Sequence, residues 1–344
     1  MPKLFAVACS SLALTLIIYS FKVGWERWNK LILRSSRLNF HDIPPLPDFN
    51  VCEIAPQPCR PWKAGKYNMT MGIRSMPEED WLVVDNLYEK EQECRTHLLK
   101  TNYAGVLQYL PPAEEACKEA LDCIVRFLVQ RYPSKFWLIE GKPGYVHNSI
   151  TSKTFRFIEP YKQHPLSIAA QLAMEDINLL MPGVGEKSNE YFLQASFSFA
   201  PAGCSAMGFE VEKSYGKVSI TFIQMCDMAD LARFFLGLKV SNPVQRHNFF
   251  VQTDNTMFQQ EPFADTVETP PKIEDIRIRH ERQTLRRLPR TGAVMFLVRT
   301  YLSPITELEQ ELDNLYSLRS AINAWPAEMA KYKGRHVWHE TFEN

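Results

Sequence analysis

No two of the eight cysteines in this 344-residue sequence form a CxxC pair, and the closest are Cys117 with Cys123 and Cys52 with Cys59. That spacing excludes a zinc ribbon, a ferredoxin-type cluster and a dense disulfide framework, and it fits a reducing compartment. Net charge is missing too: 39 Lys and Arg stand against 39 Asp and Glu. Polyanion binding through bulk charge is thereby disfavoured, and nucleic acid is not an expected partner. Glycine is scarce, with 14 residues, and no phosphate-binding pattern is complete. The run from Gly183 to Ser188 (GVGEKS) lacks both the Walker and the dinucleotide spacing, and it follows a predicted helix rather than a strand. The run from Gly203 to Gly208 has Met207 where a nucleophile elbow needs its second glycine. His336 and His339 have an HxxH spacing without an accompanying carboxylate motif and fall in a predicted tail.

What is present describes a globular chain. Hydrophobic residues make up 45% and charged residues 23%, proportions that rule out a disordered or fibrous chain. One long hydrophobic run stands out, the eighteen uncharged residues from Leu4 to Phe21. As a helix it would span about 27 Å, which predicts a single-pass membrane anchor over residues 1–21. Lys22, Arg27, Lys30, Arg34 and Arg37 follow it, so the positive-inside bias predicts a cytosolic main domain with the membrane as a partner.

Six prolines between Pro44 and Pro61 hold the backbone extended, so residues 22–62 read as a basic juxtamembrane segment followed by a tether or wrapping arm. Residues 63–335 then form one domain, and residues 336–344 a tail. Ala116, Ala120, Ile124 and Leu128 recur at helical spacing between Pro111-Pro112 and Pro133. Leu166, Ala169, Ala170, Ala173, Ile177 and Leu180 predict a second helix, and Leu308, Leu312, Leu315 and Ile322 a third. Residues 191–199, 218–223, 276–288 and 293–301 are rich in β-branched or aromatic residues and read as strands. Strands cluster in the second half with helices around them, which predicts an α+β fold with a mainly antiparallel sheet flanked by helices. The densest basic run, Arg277 to Arg290, reads as a solvated or ion-paired face, with an anion site as the alternative.

Several longer segments, in order along the chain, carry a resemblance. They are Arg60-Pro61-Trp62, residues 65–72 (GKYNMTMG), residues 80–85 (DWLVVD) with Tyr88, and Arg131-Tyr132-Pro133. His164-Pro165-Leu166 with Glu175-Asp176-Ile177, Arg246 with Asn248, and residues 280–289 (HERQTLRRLP) follow. Residues 299–302 (RTYL), Trp325-Pro326 and residues 331–334 (KYKG) complete the series. Together they resemble the haem-dependent oxidative N-demethylase alpha-subunit-like family, also called the HRQ family, over roughly residues 58–335. The resemblance implies a PAS-like α+β core that binds haem b and oxidises a small amine next to its nitrogen using dioxygen. It also implies an electron-donating reductase on a separate chain, because flavin, NAD and iron–sulfur modules are absent here. A non-catalytic haem- or ligand-binding protein, or a haem-free divergent member, is the alternative.

One step departs from the family pattern: Thr221 stands where the family's Ile-His step is expected. The surviving histidines are therefore weighed as iron donors. His164, inside an intact motif, is the first candidate for metal and cofactor binding; His147 and His247 are fallbacks, and His280 reads as a core residue. Arg246, Asn248 and Arg282 are the remaining cofactor-binding candidates, the two arginines as clamps for haem propionates. Glu175 and Asp176 are the candidate catalytic acids.

Overall fold

Two eleven-residue segments in the second half of the chain pair with each other along their whole length. Arg277–Arg287 and Val294–Pro304 form an antiparallel hairpin, and every neighbouring strand adds to it in antiparallel register. In this computed structural model the described residues are 38, 40, 42–67, 70–185, 188, 190–199, 228–258 and 269–344. Phe40–Asn344 form one unit.

The strands in chain order are β1 (Arg74–Ser75), β2 (Leu107–Tyr109), β3 (Phe136–Leu138), β4 (Tyr145–Asn148), β5 (Lys153–Arg156), β6 (Asp176–Pro182), β7 (Tyr191–Phe197), β8 (Val244–Gln252), β9 (Arg277–Arg287) and β10 (Val294–Pro304). Seven of them make one antiparallel sheet in the order β1-β8-β9-β10-β6-β7-β2, and β3-β4-β5 make a smaller one. The helices are α1 (Tyr88–Thr101), α2 (Tyr103–Val106), α3 (Glu114–Arg131), α4 (Pro165–Ala170), α5 (Met228–Gly237), α6 (Leu312–Asn323), α7 (Ala327–Tyr332) and α8 (Arg335–Glu343). The fold is α+β with a mainly antiparallel sheet flanked by helices.

Alternation divides the large sheet into two unlike faces. Register places Gln245, His247 and Phe249 beside Thr284, Arg282 and His280, and these beside Leu297, Arg299 and Tyr301. This first face meets α1, α3 and the segment 76–85: Trp81 packs edge-on against Phe127 at 5.3 Å, and the Arg286 guanidinium lies 4.5 Å over the Trp81 ring. At its β8 end, Phe249, Val251 and Ile278 join Trp62, Trp325 and Trp338 in one apolar cluster with α6 and α7. The opposite face carries Arg246, Asn248, Arg279, Glu281, Gln283 and Thr300, and, at its other end, Val244, Leu285 and Phe296 packed on Phe235 and Leu238.

The sequence expectations need three corrections. Residues 166–180 are not one helix: α4 stops at Ala170, and Asp176–Pro182 is a central strand. Ile177 and Leu180 fit a helical stripe, but they belong to a run buried on both faces, which a central strand also produces. The predicted tail is helix α8, whose Trp338 is 0% exposed. The basic run is ion-paired rather than solvated: Arg279 and Arg286 are buried and lie against Glu281 and Glu78, and Arg290 pairs with Glu115. The membrane localisation is also corrected: among the described residues no helix is long and apolar enough to cross a membrane. The longest, α3, carries Glu114, Glu115, Lys118, Glu119, Asp122 and Arg126, and that many charges cannot be desolvated in hydrocarbon. Residues 1–21, on which the anchor expectation rested, lie outside the described residues, as do Thr221 and the predicted strand 218–223.

Candidate functional site

The proline-rich arm is held against the domain by backbone hydrogen bonds that its fixed φ angles leave free for partners outside a ladder. Leu46 N–H donates to the Arg131 carbonyl at 2.7 Å, Gln130 Nε2 to the Ile43 carbonyl at 2.9 Å, and Asn86 N–H to the Ile54 carbonyl at 2.8 Å. Phe49 packs on the Tyr132 ring at 4.7 Å. Between this arm and the first face of the sheet lies a cavity of about 700 Å³. The sheet contributes Gln245, His247, Arg282 and Tyr301; the segment before α1 contributes Leu82, Val83 and Val84 with Glu79 and Asp80; the arm contributes Leu46, Phe49 and Ile54 with Asp48 and Glu53. A concave, mainly apolar space with a few convergent polar groups is the usual form of a small-molecule site.

His247 is the one imidazole in that lining, and it has no hydrogen-bond partner among the described residues. Burial, and then the cations of Arg282, Arg74 and Arg246, push its pKa down to about 4. It is therefore a neutral imidazole with an uncommitted ring nitrogen, the form that ligates a metal. Arg282 stands directly across the β8–β9 ladder from it, but its donors are spent on protein. Nε donates to Gln245 Oε1 at 3.1 Å, Nη1 to the Trp81 carbonyl at 3.4 Å, and Nη2 to the Asp80 carbonyl. It ties the 76–81 segment to the sheet and sets the width of the cavity.

The other sequence candidates lie apart. Arg246 pairs with Gln283 and Asn248 with Glu281, on the opposite face, so Arg246 and Arg282 cannot clamp one ligand from one side. Asn248 Nδ2 donates to Glu281 Oε2 at 3.2 Å and its Oδ1 accepts from Lys333 Nζ at 3.1 Å, inside a buried polar layer. His164 caps α4: its Nδ1 accepts from Leu166 N–H at 3.2 Å, its ring stacks on Tyr109 at 3.8 Å, and Nε2 lies 3.3 Å from Glu114. Nδ1 is thus taken by the cap, while Nε2 is buried beside the Glu114 carboxylate without a hydrogen bond among the described residues. His147 is engaged by Thr154 at 2.9 Å, and His280, pushed down to about 3 by burial, accepts from Arg60 at 3.2 Å.

Glu175 and Asp176 point to different partners. Asp176 accepts from Ser198 Oγ at 2.7 Å and from Phe199 N–H at 2.9 Å, and lies 3.6 Å from Arg95. Glu175 Oε1 accepts from the N–H of Val83, a cavity residue, at 3.1 Å. Its Oε2 is buried without a hydrogen-bond partner among the described residues, and burial raises its pKa.

Sequence reasoning missed the charged cluster behind the cavity. Arg299, 1% exposed, donates from Nη1 to both oxygens of Glu91 and from Nη2 to Asp85 Oδ2, all at 2.8 Å, and lies 4.7 Å over the Tyr301 ring. Burial raises the Tyr301 hydroxyl to about 12, so it keeps its proton. Tyr301 also lines a second cavity of about 870 Å³ along α1 and residues 255–258. Asp85, Tyr88, Arg299 and Tyr301 all sit in segments that carry the resemblance, which was the available signal.

A family model for the haem-dependent oxidative N-demethylase, alpha subunit-like, matches residues 72–342. The match covers most of the chain, and the protein belongs to this family. Among the described residues no three or more His, Cys, Asp or Glu side chains group as for a bare metal ion. A haem iron asks less of the protein, a single donor side chain; in this cavity the imidazole of His247 could serve, in a lining that also carries Asp48, Glu53, Glu79 and Asp80.

Proposed function

We propose that this protein is a haem-dependent oxidoreductase that removes an N-alkyl group oxidatively from a small amine, with the reaction in the cavity between the arm and the sheet. The observation that carries this reading is His247 in that cavity, held neutral by burial and without a hydrogen-bond partner among the described residues, in a chain of this family. One of its ring nitrogens would hold the haem iron, in place of the family histidine missing at Thr221. The sheet and helix arrangement is read as a variant of the PAS-like core.

Bound haem would supply dioxygen activation and oxidation of the C–H bond next to nitrogen. For an N-methylamine the balance is simple: the amine, one dioxygen, two electrons and two protons give the demethylated amine, one formaldehyde and one water. The electrons come from a separate reductase, because the chain has neither a dinucleotide fingerprint nor a cysteine cluster. The chain's own residues orient the reactants and exclude water: Leu82, Val83, Phe49 and Ile54 supply apolar walls, and Arg282 fixes the wall segment 76–81 to the sheet. Arg282 also keeps His247 from taking a proton, so the donor nitrogen stays available.

The test is turnover by the full chain supplied with haem and a surrogate electron donor over a panel of N-methylamines. Amine-dependent release of aldehyde and of the dealkylated amine is expected from wild type and is lost in His247→Ala. Reductant consumption that no amine changes, with no aldehyde, contradicts the reading.

A further inference from the structure

The small β3-β4-β5 sheet turns one face to solvent, and the side chains on that face are of types that a free surface uses sparingly. Register sets Trp137 beside His147 and Thr154, and Tyr145 beside Arg156, on the side away from the buried Phe136, Val146 and Phe155. Trp137 is 41% exposed, with its ring 4.7 Å from that of His147, and the Arg156 guanidinium lies 5.6 Å over the Tyr145 ring. Leu138, at the end of β3, and Ile158, just past β5, are 54% and 40% exposed. Trp, Tyr and Arg are the side chains that carry most of the binding energy of protein interfaces, and an exposed apolar patch rimmed by polar groups marks such a surface.

The segment that builds this sheet is basic in a chain without net charge. Between residues 135 and 156, Lys135, Lys142, Lys153 and Arg156 stand against one acid, Glu140. Neither cation of β5 is in an ion pair: Lys153 Nζ donates to Thr96 Oγ1 at 2.9 Å, and Arg156 to the Ile158 and Glu159 carbonyls at 3.2 and 2.8 Å. The acids next to the sheet are already matched, Glu159 and Glu115 by Lys118. The complement of such a face is an acidic protein surface.

The face also stands directly behind the reaction cavity. Tyr132 lines that cavity and donates to the carbonyl of Leu82, another wall residue, at 3.0 Å. The N–H groups of Lys135 and Phe136 both donate to the Tyr132 carbonyl at 2.9 Å, so β3 starts from the cavity wall. Phe136 is 0% exposed and edge-on to Tyr88 at 5.9 Å, and the next residue, Trp137, is on the outer face. Of the partners the proposed reaction needs, the electron donor is the one that must come close to the haem without entering the cavity.

We propose that the outer face of the β3-β4-β5 sheet is the docking surface for the separate electron-donating protein, which meets it with an acidic face. Trp137 and Tyr145 supply the central contact, and Lys135, Lys142 and Arg156 steer the encounter. Two one-electron encounters supply the two electrons of a turnover, each oxidising the donor by one electron and reducing the bound haem iron by one. This inference rests on the reading of the first cavity as the haem site.

A reduced plant-type ferredoxin, an acidic one-electron donor, is the probe. Carbodiimide cross-linking to the full chain, mapped by mass spectrometry, is expected to join ferredoxin carboxylates to Lys135 and Lys142, with or without haem. In stopped flow, ferredoxin should reduce the haem-loaded chain at a rate that falls as salt rises, and about tenfold more slowly in Trp137→Ala and in Lys142→Glu. Dithionite, which needs no docking, should reduce all three alike. Lys142→Glu, on an exposed turn, keeps the test should Trp137→Ala fail to fold. Cross-links confined to other lysines, variants reduced by ferredoxin as fast as wild type, or a wild type that ferredoxin neither cross-links nor reduces overturn the docking surface alone. Binding to phosphatidylserine vesicles that is lost in Trp137→Ala, without ferredoxin cross-links, assigns the face to a lipid surface and overturns it too. A wild type with no haem for dithionite to reduce overturns the reading of the cavity and the donor's role with it, whatever the cross-links show.

Discussion

His247 and Arg282 face each other across the β8–β9 ladder and line the same cavity, whereas Arg246, one residue earlier, faces the other side of the sheet beside Gln283. Burial holds the proposed donor neutral, and the guanidinium beside it adds to that effect. Replacing Arg282 with Ala removes a cation that depresses His247, so its pKa should rise from about 4 toward 6.5. Titration of the His247 ring protons by NMR checks this, and an unmoved value contradicts the coupling.

The same histidines make stability pH-dependent. His247 and His280 are depressed to about 4 and about 3, so below pH 6.5 the unfolded chain binds protons that the folded one refuses. Stability is then fully present above about pH 6.5 and falls as the pH is lowered through this window. Denaturant midpoints measured from pH 7 to pH 4 should decline less steeply in His280→Gln, the deeper of the two. An equal slope in that variant contradicts the assignment.

Arg299 is the electrostatic keystone behind the cavity. Arg299→Ala leaves Asp85 and Glu91 buried without their cation and should cost about 3–5 kcal/mol, whereas Arg60→Ala, whose partner Glu311 is partly exposed, should cost under about 1 kcal/mol. Urea unfolding of the two variants compares them directly.

The C-terminal helix α8 belongs to the core. Trp338 stands edge-on to Trp325 with ring centroids 6.3 Å apart, and Trp338→Ala should lose about 3–5 kcal/mol. A thermal midpoint equal to wild type would show that the helix is dispensable.

The strands β9 and β10 were legible in the sequence from their β-branched and aromatic residues, and α3 because prolines bracket its apolar stripe. The strand β6 was not, since Ile177 and Leu180 satisfy a helical period and a buried strand equally well. The basic run stayed ambiguous for a related reason. Sequence alone shows six arginines, but only the fold reveals Trp81 and Phe40 around Arg286 and a carboxylate beside Arg279. The site was partly legible: Arg282 lines the cavity and Glu175 holds the backbone of Val83, which does, while His164 and Asn248 are engaged by neighbours that only tertiary packing brings. His247 was overshadowed because its neighbours Arg246 and Asn248 carry the motif, and strand parity turns it to the other face.

The donor assignment is tested most directly by visible spectra of the full chain titrated with haem, for wild type, His247→Ala and His164→Ala. The account predicts a Soret band in wild type that is lost in His247→Ala. It predicts the band retained in His164→Ala, which gives up only a helix cap worth about 1 kcal/mol. A band that survives His247→Ala and disappears in His164→Ala contradicts it.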